Sequence, residues 1–248
     1  MSAVVEFRAA CYRIGTREIL KNLTLSVAAG ETLVLLGRSG SGKTTALKMV
    51  NGLLFPSAGE VLVDGTATTA WDPVRLKRRI GYVIQEVGLF PHYTVAGNIG
   101  LVPQLEHWDE PRIAARVDAL LREVGLAPEQ FGARYPSQLS GGQRQRVGVA
   151  RALAADPSVL LFDEPFGAAD PVTRLELQKQ FLALRRELGK TAIFVTHDVR
   201  EALLLATRIA LLRDGALEEL ATPRKLMQSA GQEARAFLAC LDWSADTL

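Results

Sequence analysis

The chain alternates between short apolar runs and longer segments in which apolar residues recur every three or four positions. Short runs bounded by turn residues predict buried strands, and the longer period predicts helices. The predicted strands are VVEF, LTLSV, ETLVLLG, GEVLVDG (59–65), IGYVIQ (80–85), SVLLFDE, TAIFVTH and RIALLRDG. The predicted helices include KTTALKMVNGLL, PVTRLELQKQFLALRREL and DVREALLLA. This alternation predicts an α/β fold with a mostly parallel sheet.

The middle of the chain departs from that alternation. From about 87 to 157 the pattern is mostly helical, with DEPRIAARVDALLREVGL and QRQRVGVARALAAD as its clearest pieces. The segment beyond about 222 reads as a polar helical tail. We therefore expect one domain over 1–221, with a helical subdomain inserted at about 87–157 and a helical tail over 222–248.

Composition narrows the classes of protein that fit. A chain of 248 residues with 48% hydrophobic and 23% charged residues is ordinary globular material. The net charge of +2 gives no reason to expect a nucleic-acid partner. The two cysteines are far apart and the three histidines are scattered, which argues against disulfides and zinc. With no apolar run near the roughly 18 residues that a bilayer requires, we expect a cytosolic protein that meets a membrane through a partner.

The segment 37–44, GRSGSGKT, has the spacing G-x-x-x-x-G-K-[ST] between a predicted strand and a predicted helix. Glycines let backbone N–H groups converge on phosphate oxygens where a Cβ would obstruct them. The positive end of the following helix adds to the attraction. In such a loop Lys43 reaches the β- and γ-phosphates, and the Thr44 hydroxyl is a ligand for Mg²⁺.

A second candidate half-site lies at 159–164, VLLFDE, where a buried strand ends at two carboxylates. Asp163 is placed to hold Mg²⁺, and Glu164 to polarise an attacking water. Further on, Asp170 followed by proline fits a helix N-cap, a structural role that a functional one can accompany.

Residues 139–143, LSGGQ, stand at the start of a predicted helix, whose N-terminus is a second potential anion-binding site in the chain. A phosphate loop alone fits kinases, GTPases, helicases and transport ATPases. Two phosphate-seeking sites separated by a helical insert make sense if each nucleotide lies between two copies of the protein.

At this point the sequence closely resembles the nucleotide-binding subunit of ABC transporters, from the Tyr12 region to about residue 226. The elements stand in the family order: GRSGSGKT, YVIQE with Gln85, LSGGQ, VLLFDE, the turn at 167–170, and VTHD with His197. The resemblance implies a P-loop NTPase (RecA-like) core with a mostly parallel sheet, an N-terminal antiparallel β subdomain and an inserted α-helical subdomain. ATP and Mg²⁺ are the implied cofactors.

The resemblance also assigns roles. Tyr12 would stack on adenine, and Gln85 would join Mg²⁺ or the lytic water. Glu164 would be the general base, His197 would contact the γ-phosphate, and Asp170 would cross a dimer interface. The residues implied to wrap the phosphates are Gly37, Ser39, Gly40, Ser41, Gly42, Lys43, Thr44 and Thr45, and those implied to face them from a second copy are Ser140, Gly141, Gly142 and Gln143. Catalysis falls to Glu164, His197, Gln85 and Lys43, and metal binding to Thr44, Gln85 and Asp163. Ala169 departs from the leucine usual in the family, which leaves the tightness of the dimer turn open.

Three stretches are similar to osmoprotectant importer ATPases, which serve glycine betaine, choline, carnitine and related quaternary amines. These stretches are IGYVIQEVGLFPHYTVAGNI (80–99), the segment 135–174 and FVTHDVREAL (194–203). Importers of other small solutes, such as amino acids, share much of the pattern and stay as an alternative. A non-transport ABC ATPase and a small-molecule kinase fit less well, because the chain has one cassette, no heptad insert and the LSGGQ and His197 elements.

The implied assembly is a homodimer of ATPase subunits on integral-membrane permease subunits, at the cytoplasmic face of the inner membrane. An extracytoplasmic substrate-binding protein would take part indirectly, and no nucleic acid would. Segment 86–101, with Val87, Leu89, Phe90 and Tyr93, would dock the permease. The C-terminal CBS domains of many relatives are not expected here.

Overall fold

The structure is a computed structural model that describes residues 3–85, 88–167 and 171–242. The chain divides into two compact units. The first unit comprises residues 1–76 and 190–248, and the second comprises residues 77–189.

The described residues form strands and helices in alternation, numbered here in chain order. The strands are β1 (Ala3–Ile14), β2 (Arg17–Ala28), β3 (Thr32–Leu36), β4 (Ala58–Val63), β5 (Thr66–Ala67), β6 (Ile80–Val83), β7 (Val159–Asp163), β8 (Thr191–Thr196), β9 (Arg208–Arg213) and β10 (Ala216–Ala221). The helices are α1 (Lys43–Val50), α2 (Pro73–Arg79), α3 (Val95–Leu105), α4 (Glu110–Glu123), α5 (Pro128–Phe131), α6 (Gly141–Leu153), α7 (Pro171–Leu188), α8 (Val199–Leu205), α9 (Pro223–Leu226) and α10 (Gln232–Asp242), with a 3-10 turn at Pro136–Gln138.

The first unit contains an antiparallel sheet in the order β2-β1-β4-β5. The β4–β5 hairpin turns at Asp64 and Gly65, both with positive φ (50° and 75°), which matches the twist of a two-residue hairpin. The predicted N-terminal antiparallel β subdomain is confirmed.

The first unit also contains four strands in the order β10-β9-β3-β8. β3 pairs in parallel with β8 and β9, and β10 is antiparallel to β9. Every residue of β3 and β8 is buried, as expected for central strands covered on both faces. α1 packs on β8 and α8 packs on β3. The predicted mostly parallel α/β core is confirmed.

The second unit pairs β6 with β7 in parallel and surrounds them with helices. α6 packs against β6, α3 and α4, and its buried residues are Gln145, Val147, Gly148, Ala150 and Leu153. α4 begins at the N-cap Asp109, whose carboxylate accepts from the Arg112 N–H at 2.9 Å. Within the ranges given above, every helix is too short or too polar to cross a bilayer.

The structure differs from the sequence prediction at one strand end near the site and in one strand that was missed. β6 ends at Val83, two residues before the predicted end at Gln85. The sequence pattern did not predict β10, whose adjacent Glu218 and Glu219 (in ALEELA) interrupt the apolar alternation and which is half-exposed at the end of the strand order. The Asp-Gly pair at 214–215 was a sequence signal for a hairpin. In the structure both residues have positive φ, as in the β4–β5 hairpin.

Candidate functional site

The phosphate loop of the first unit is built by close backbone packing around two glycines. An idealised Cβ at Gly37 would lie 2.4 Å from the Leu212 carbonyl oxygen. Gly42 has φ 92°, and a Cβ there would lie 2.6 Å from Leu20 Cδ2 and 2.8 Å from the Ile19 carbonyl oxygen. Side chains at either position would displace the loop from the strands behind it.

The ammonium of Lys43 lies folded against this loop. Its Nζ donates to the carbonyl oxygens of Gly37 at 2.8 Å and Arg38 at 2.9 Å, and the residue is only 5% exposed. The positive charge is therefore held against the loop by the carbonyl groups of the loop itself.

The start of α1 has the properties of an anion site. Its N-cap, Gly42, has no side chain to make a cap hydrogen bond, and its first turn holds no acidic residue, which favours an anion at this positive end. The Ser41 hydroxyl is buried and has no hydrogen-bond partner among the described residues. A phosphate oxygen would satisfy such donors. Thr44 and Thr45 follow in the first turn, both half-buried.

The strand register places two other predicted site residues of this unit, His197 and Tyr12, near the loop. Leu36 pairs with Thr196, so the chain leaves β3 at Gly37 beside the point where it leaves β8 at His197. His197 does not cap α8, because the Asp198 carboxylate accepts from the Arg200 N–H at 2.8 Å. Tyr12 lies opposite Leu20, the residue against which the loop packs.

Gly42→Ala should destabilise the protein by roughly 1–3 kcal/mol, because alanine would be strained at this φ and would contact β2. Urea or thermal unfolding measures the loss. Gly97→Ala is the matched control, since a Cβ there meets nothing closer than 3.4 Å in a helical turn. Equal stability of the two variants would contradict this account of the loop.

In the second unit, Asp163 ends β7 and accepts from the Tyr82 hydroxyl at 3.3 Å. Burial, followed by the nearby Asp163 charge, raises the pKa of Tyr82 well above its usual value. The phenol therefore stays protonated and orients one carboxylate oxygen of Asp163.

Glu164 and Gln85 lie together at the same edge of the β6–β7 pair. An idealised Cβ on Gly167 would lie 3.7 Å from Gln85 Nε2 and 3.9 Å from Glu164 Oε2, so both side chains end near this glycine. Glu164 has φ 46°, a left-handed conformation that costs a non-glycine residue about 1 kcal/mol or more. This backbone conformation directs Glu164 away from the line of β7, of which Asp163 is the last residue.

The LSGGQ segment forms the start of α6, as a capping box. Ser140 Oγ accepts from the Gln143 N–H at 3.2 Å, and Gln143 Oε1 accepts from the Ser140 N–H at 2.9 Å. Ser140 and Gly141 are exposed, and Gly142 packs near Thr173. The helix start is thus rigid and open to solvent.

Residues 88–93 form an aromatic surface, which is called the 88–93 loop below. Phe90 and Tyr93 are 41% and 40% exposed and surround His92 in edge and tilted contacts. The amide of Asn98 is buried, donates to the Phe90 and Tyr93 carbonyls at 3.1 Å and so fixes the loop. Arg151 donates to the Gly88 carbonyl at 2.7 Å, and burial lowers its pKa. A cavity of about 320 Å³ opens beside this loop.

Asp170, Ala169 and Val87 lie outside the described residues. Within the described ranges, no group of three or more histidines, cysteines or acidic residues is arranged to hold a metal ion. The predicted magnesium ligands Thr44, Gln85 and Asp163 offer a hydroxyl, an amide and a carboxylate oxygen. These hard donors are the kind that Mg²⁺ takes alongside phosphate oxygens and water.

Sequence reasoning missed several residues that build these sites. Tyr82 and Arg151 act through contacts with residues far along the chain, whereas Asn98 bonds to carbonyls of the loop just before its own helix. Only Asn98 gave a signal, as a lone amide in the apolar helix VAGNIGL.

Comparison with known proteins places the site in context. The family model described as "ABC transporter" matches residues 20–167. The choline transport ATP-binding protein OpuBA of Bacillus subtilis is 48% identical over 88% of this chain and 57% of its own length. The glycine betaine uptake system ATP-binding protein YehX of Escherichia coli is 47% identical over 90% of this chain and 72% of its own length. The chain therefore spans a little over half the length of the first of these relatives.

Among solved structures, the dimeric post-hydrolysis state of the ATP-binding cassette MJ0796 bound to ADP and Pi matches with a TM-score of 0.78. The identity is 35%, and the match covers 89% of this chain and 99% of that one.

Proposed function

From the premise that this chain belongs to the ABC transporter family, we propose that it is the ATP-binding subunit of an importer. Its cargo is an osmoprotectant quaternary amine such as glycine betaine, choline or carnitine. The observation that supports this cargo is the near 50% identity to ATP-binding proteins of choline transport and glycine betaine uptake.

The first unit binds the nucleotide. Tyr12 stacks on the adenine, and the loop of Gly37, Ser39, Gly40, Ser41 and Gly42 donates backbone N–H groups to the phosphates, followed by Thr44 and Thr45. Lys43 exchanges its two carbonyl partners for the β- and γ-phosphates. His197 contacts the γ-phosphate from the neighbouring strand end.

The second unit supplies the groups for hydrolysis. Glu164 accepts a proton from water as the water oxygen attacks the γ-phosphorus, and the bond to the β-phosphate oxygen breaks to give ADP and phosphate. Gln85 orients that water, with its amide ending beside Glu164. Mg²⁺, held by Thr44, Gln85 and Asp163, would neutralise charge on the phosphate oxygens.

A second copy of the chain completes each site. The exposed start of α6, from Ser140 to Gln143, offers N–H donors and a helix dipole to the γ-phosphate bound by the other copy. Asp170 belongs to the same interface. The dimeric solved cassette supports this arrangement. Loss of the γ-phosphate removes contacts to both copies and lets the dimer open.

The dimer works at the cytoplasmic face of the inner membrane, on permease subunits that dock at the 88–93 loop. Exposed Phe90 and Tyr93 beside a 320 Å³ cavity offer an apolar, aromatic surface for that purpose. We assign the ATPase domain to residues 1–221, the helical insert to about 87–157 and the tail to 222–248.

Uptake by membrane vesicles holding this chain with its permease and binding protein tests the proposal. We expect ATP-dependent accumulation of labelled glycine betaine, choline or carnitine, and none with a Glu164→Gln chain in matched vesicles. Uptake of an amino acid with none of the amines would contradict the proposed cargo. ATPase activity indifferent to any permease would contradict transport itself.

A further inference from the structure

The C-terminal helix α10 is tied to the phosphate loop by an ion pair within the first unit. Arg38 is the second residue of the loop, and its Nε donates to Glu233 Oε1 at 2.6 Å, with Nη2 at 3.3 Å from Oε2. The two residues are separated by 195 positions in sequence. The Glu233 side chain is only 6% exposed, whereas that of Arg38 is 69% exposed.

Glu233 is held in place independently of Arg38. Its backbone N–H donates to Glu218 Oε1 at 3.4 Å, and Ser229, just before the helix, donates to Glu219 Oε2 at 2.6 Å. α10 also packs against α8. Two β10 carboxylates therefore anchor the start of α10, where the helix dipole favours negative charge. Glu233 presents its carboxylate from a fixed platform.

Arg38 in turn is connected to the catalytic lysine through its backbone. Its carbonyl oxygen accepts from Lys43 Nζ at 2.9 Å and from the Ser41 N–H at 3.2 Å. Arg38 thus contacts the Glu233 carboxylate of α10 through its side chain and the Lys43 ammonium through its backbone carbonyl. Arg38, Glu233 and the loop residues Ser39 to Ser41 line one cavity of about 570 Å³.

We propose that Glu233 is a positioning residue for nucleotide binding: through Arg38 it holds the phosphate loop in the conformation that presents Lys43 and the loop N–H groups. The inference rests on the proposed ATP-binding function. Pre-organisation lowers the cost of ordering the loop when phosphate binds.

Simple charge effects and positioning predict different signs, which makes the proposal testable. Removing the negative charge of Glu233 would strengthen binding of a polyanion, and removing the positive charge of Arg38 would weaken it. If the pair acts by positioning, Glu233→Gln and Arg38→Gln both weaken binding. The double variant then binds about as well as either single variant, because the two residues act as one unit.

The experiment measures the Kd of fluorescent ATP for the full chain by titration, and the KM and kcat of its ATPase. We expect Glu233→Gln and Arg38→Gln each to raise Kd and KM by about three- to tenfold, with kcat little changed. Glu219→Gln is the matched control: it removes a carboxylate charge beside α10, and its amide oxygen still accepts from the Ser229 hydroxyl, so the anchor is kept. Its Kd should stay that of the unaltered chain. Opposite signs for the two variants, additive effects, or an equal effect of Glu219→Gln would overturn the proposal.

Hydrogen exchange without nucleotide separates this inference from the proposed function. Amides of 37–45 should exchange faster in Glu233→Gln than in the unaltered chain or Glu219→Gln. Faster exchange in a chain that binds no ATP would support the ion-pair device and reject the ATP-binding role. Unchanged exchange would reject the ion-pair device whatever the nucleotide result.

Discussion

Replacing Glu164 with glutamine should lower ATP turnover by about a hundredfold to ten-thousandfold, the usual contribution of a positioned general base. Glutamine keeps the size of the side chain near Gln85 and Gly167 but does not accept the proton of the attacking water. Nucleotide binding should persist, because the groups assigned to the phosphates are unchanged. Phosphate release under single-turnover conditions measures the effect.

The same variant should stay paired in the presence of ATP and Mg²⁺, because the γ-phosphate that joins two copies is not removed. Light scattering after size exclusion would detect the dimer. Glu129→Gln is the control, since this exposed glutamate of the second unit forms a surface ion pair with Arg122. Full turnover in Glu164→Gln would reject Glu164 as the base, and a monomer in ATP would reject the shared site.

Lys43→Ala should weaken ATP binding by about ten- to a hundredfold, the range expected for losing hydrogen bonds from a charged donor. Two effects add to this loss of affinity. The phosphates lose the contact with the ammonium, and the loop loses the donor that its Gly37 and Arg38 carbonyls share. Titration with fluorescent ATP measures the affinity, and a melting curve reports loop stability separately.

Lys48→Ala provides the comparison for Lys43→Ala, since it removes the same charge from the last turn of α1. Its Kd should remain within about twofold of the unaltered chain. If both variants bind ATP normally, the phosphate loop is not the nucleotide site. If both weaken it equally, the general positive charge of α1 and not the placement of Lys43 is responsible.

Much of the candidate site could be predicted because its determinants are local. The spacing of Gly37, Gly42 and Lys43 in a strand–loop–helix segment requires only neighbouring residues, and the structure has that strand and helix. The capping box of Ser140 and Gln143 is local in the same sense. β10 was not predicted, because its two glutamates interrupt the alternation of apolar and polar residues that is typical of an edge strand. The Asp214–Gly215 turn before it did indicate a hairpin.

The sequence by itself determined the local features of the fold and the site. Glycines allow the tight loop, apolar runs form the central strands, and carboxylates stand at the end of β7. Only the tertiary structure decided which distant residues meet, because pairing depends on strand register and helix packing and not on local periodicity. The register of β3 with β8 brings Gly37 beside His197. The placement of α10 on the first unit gives Arg38 a partner 195 residues away, which no local pattern encodes.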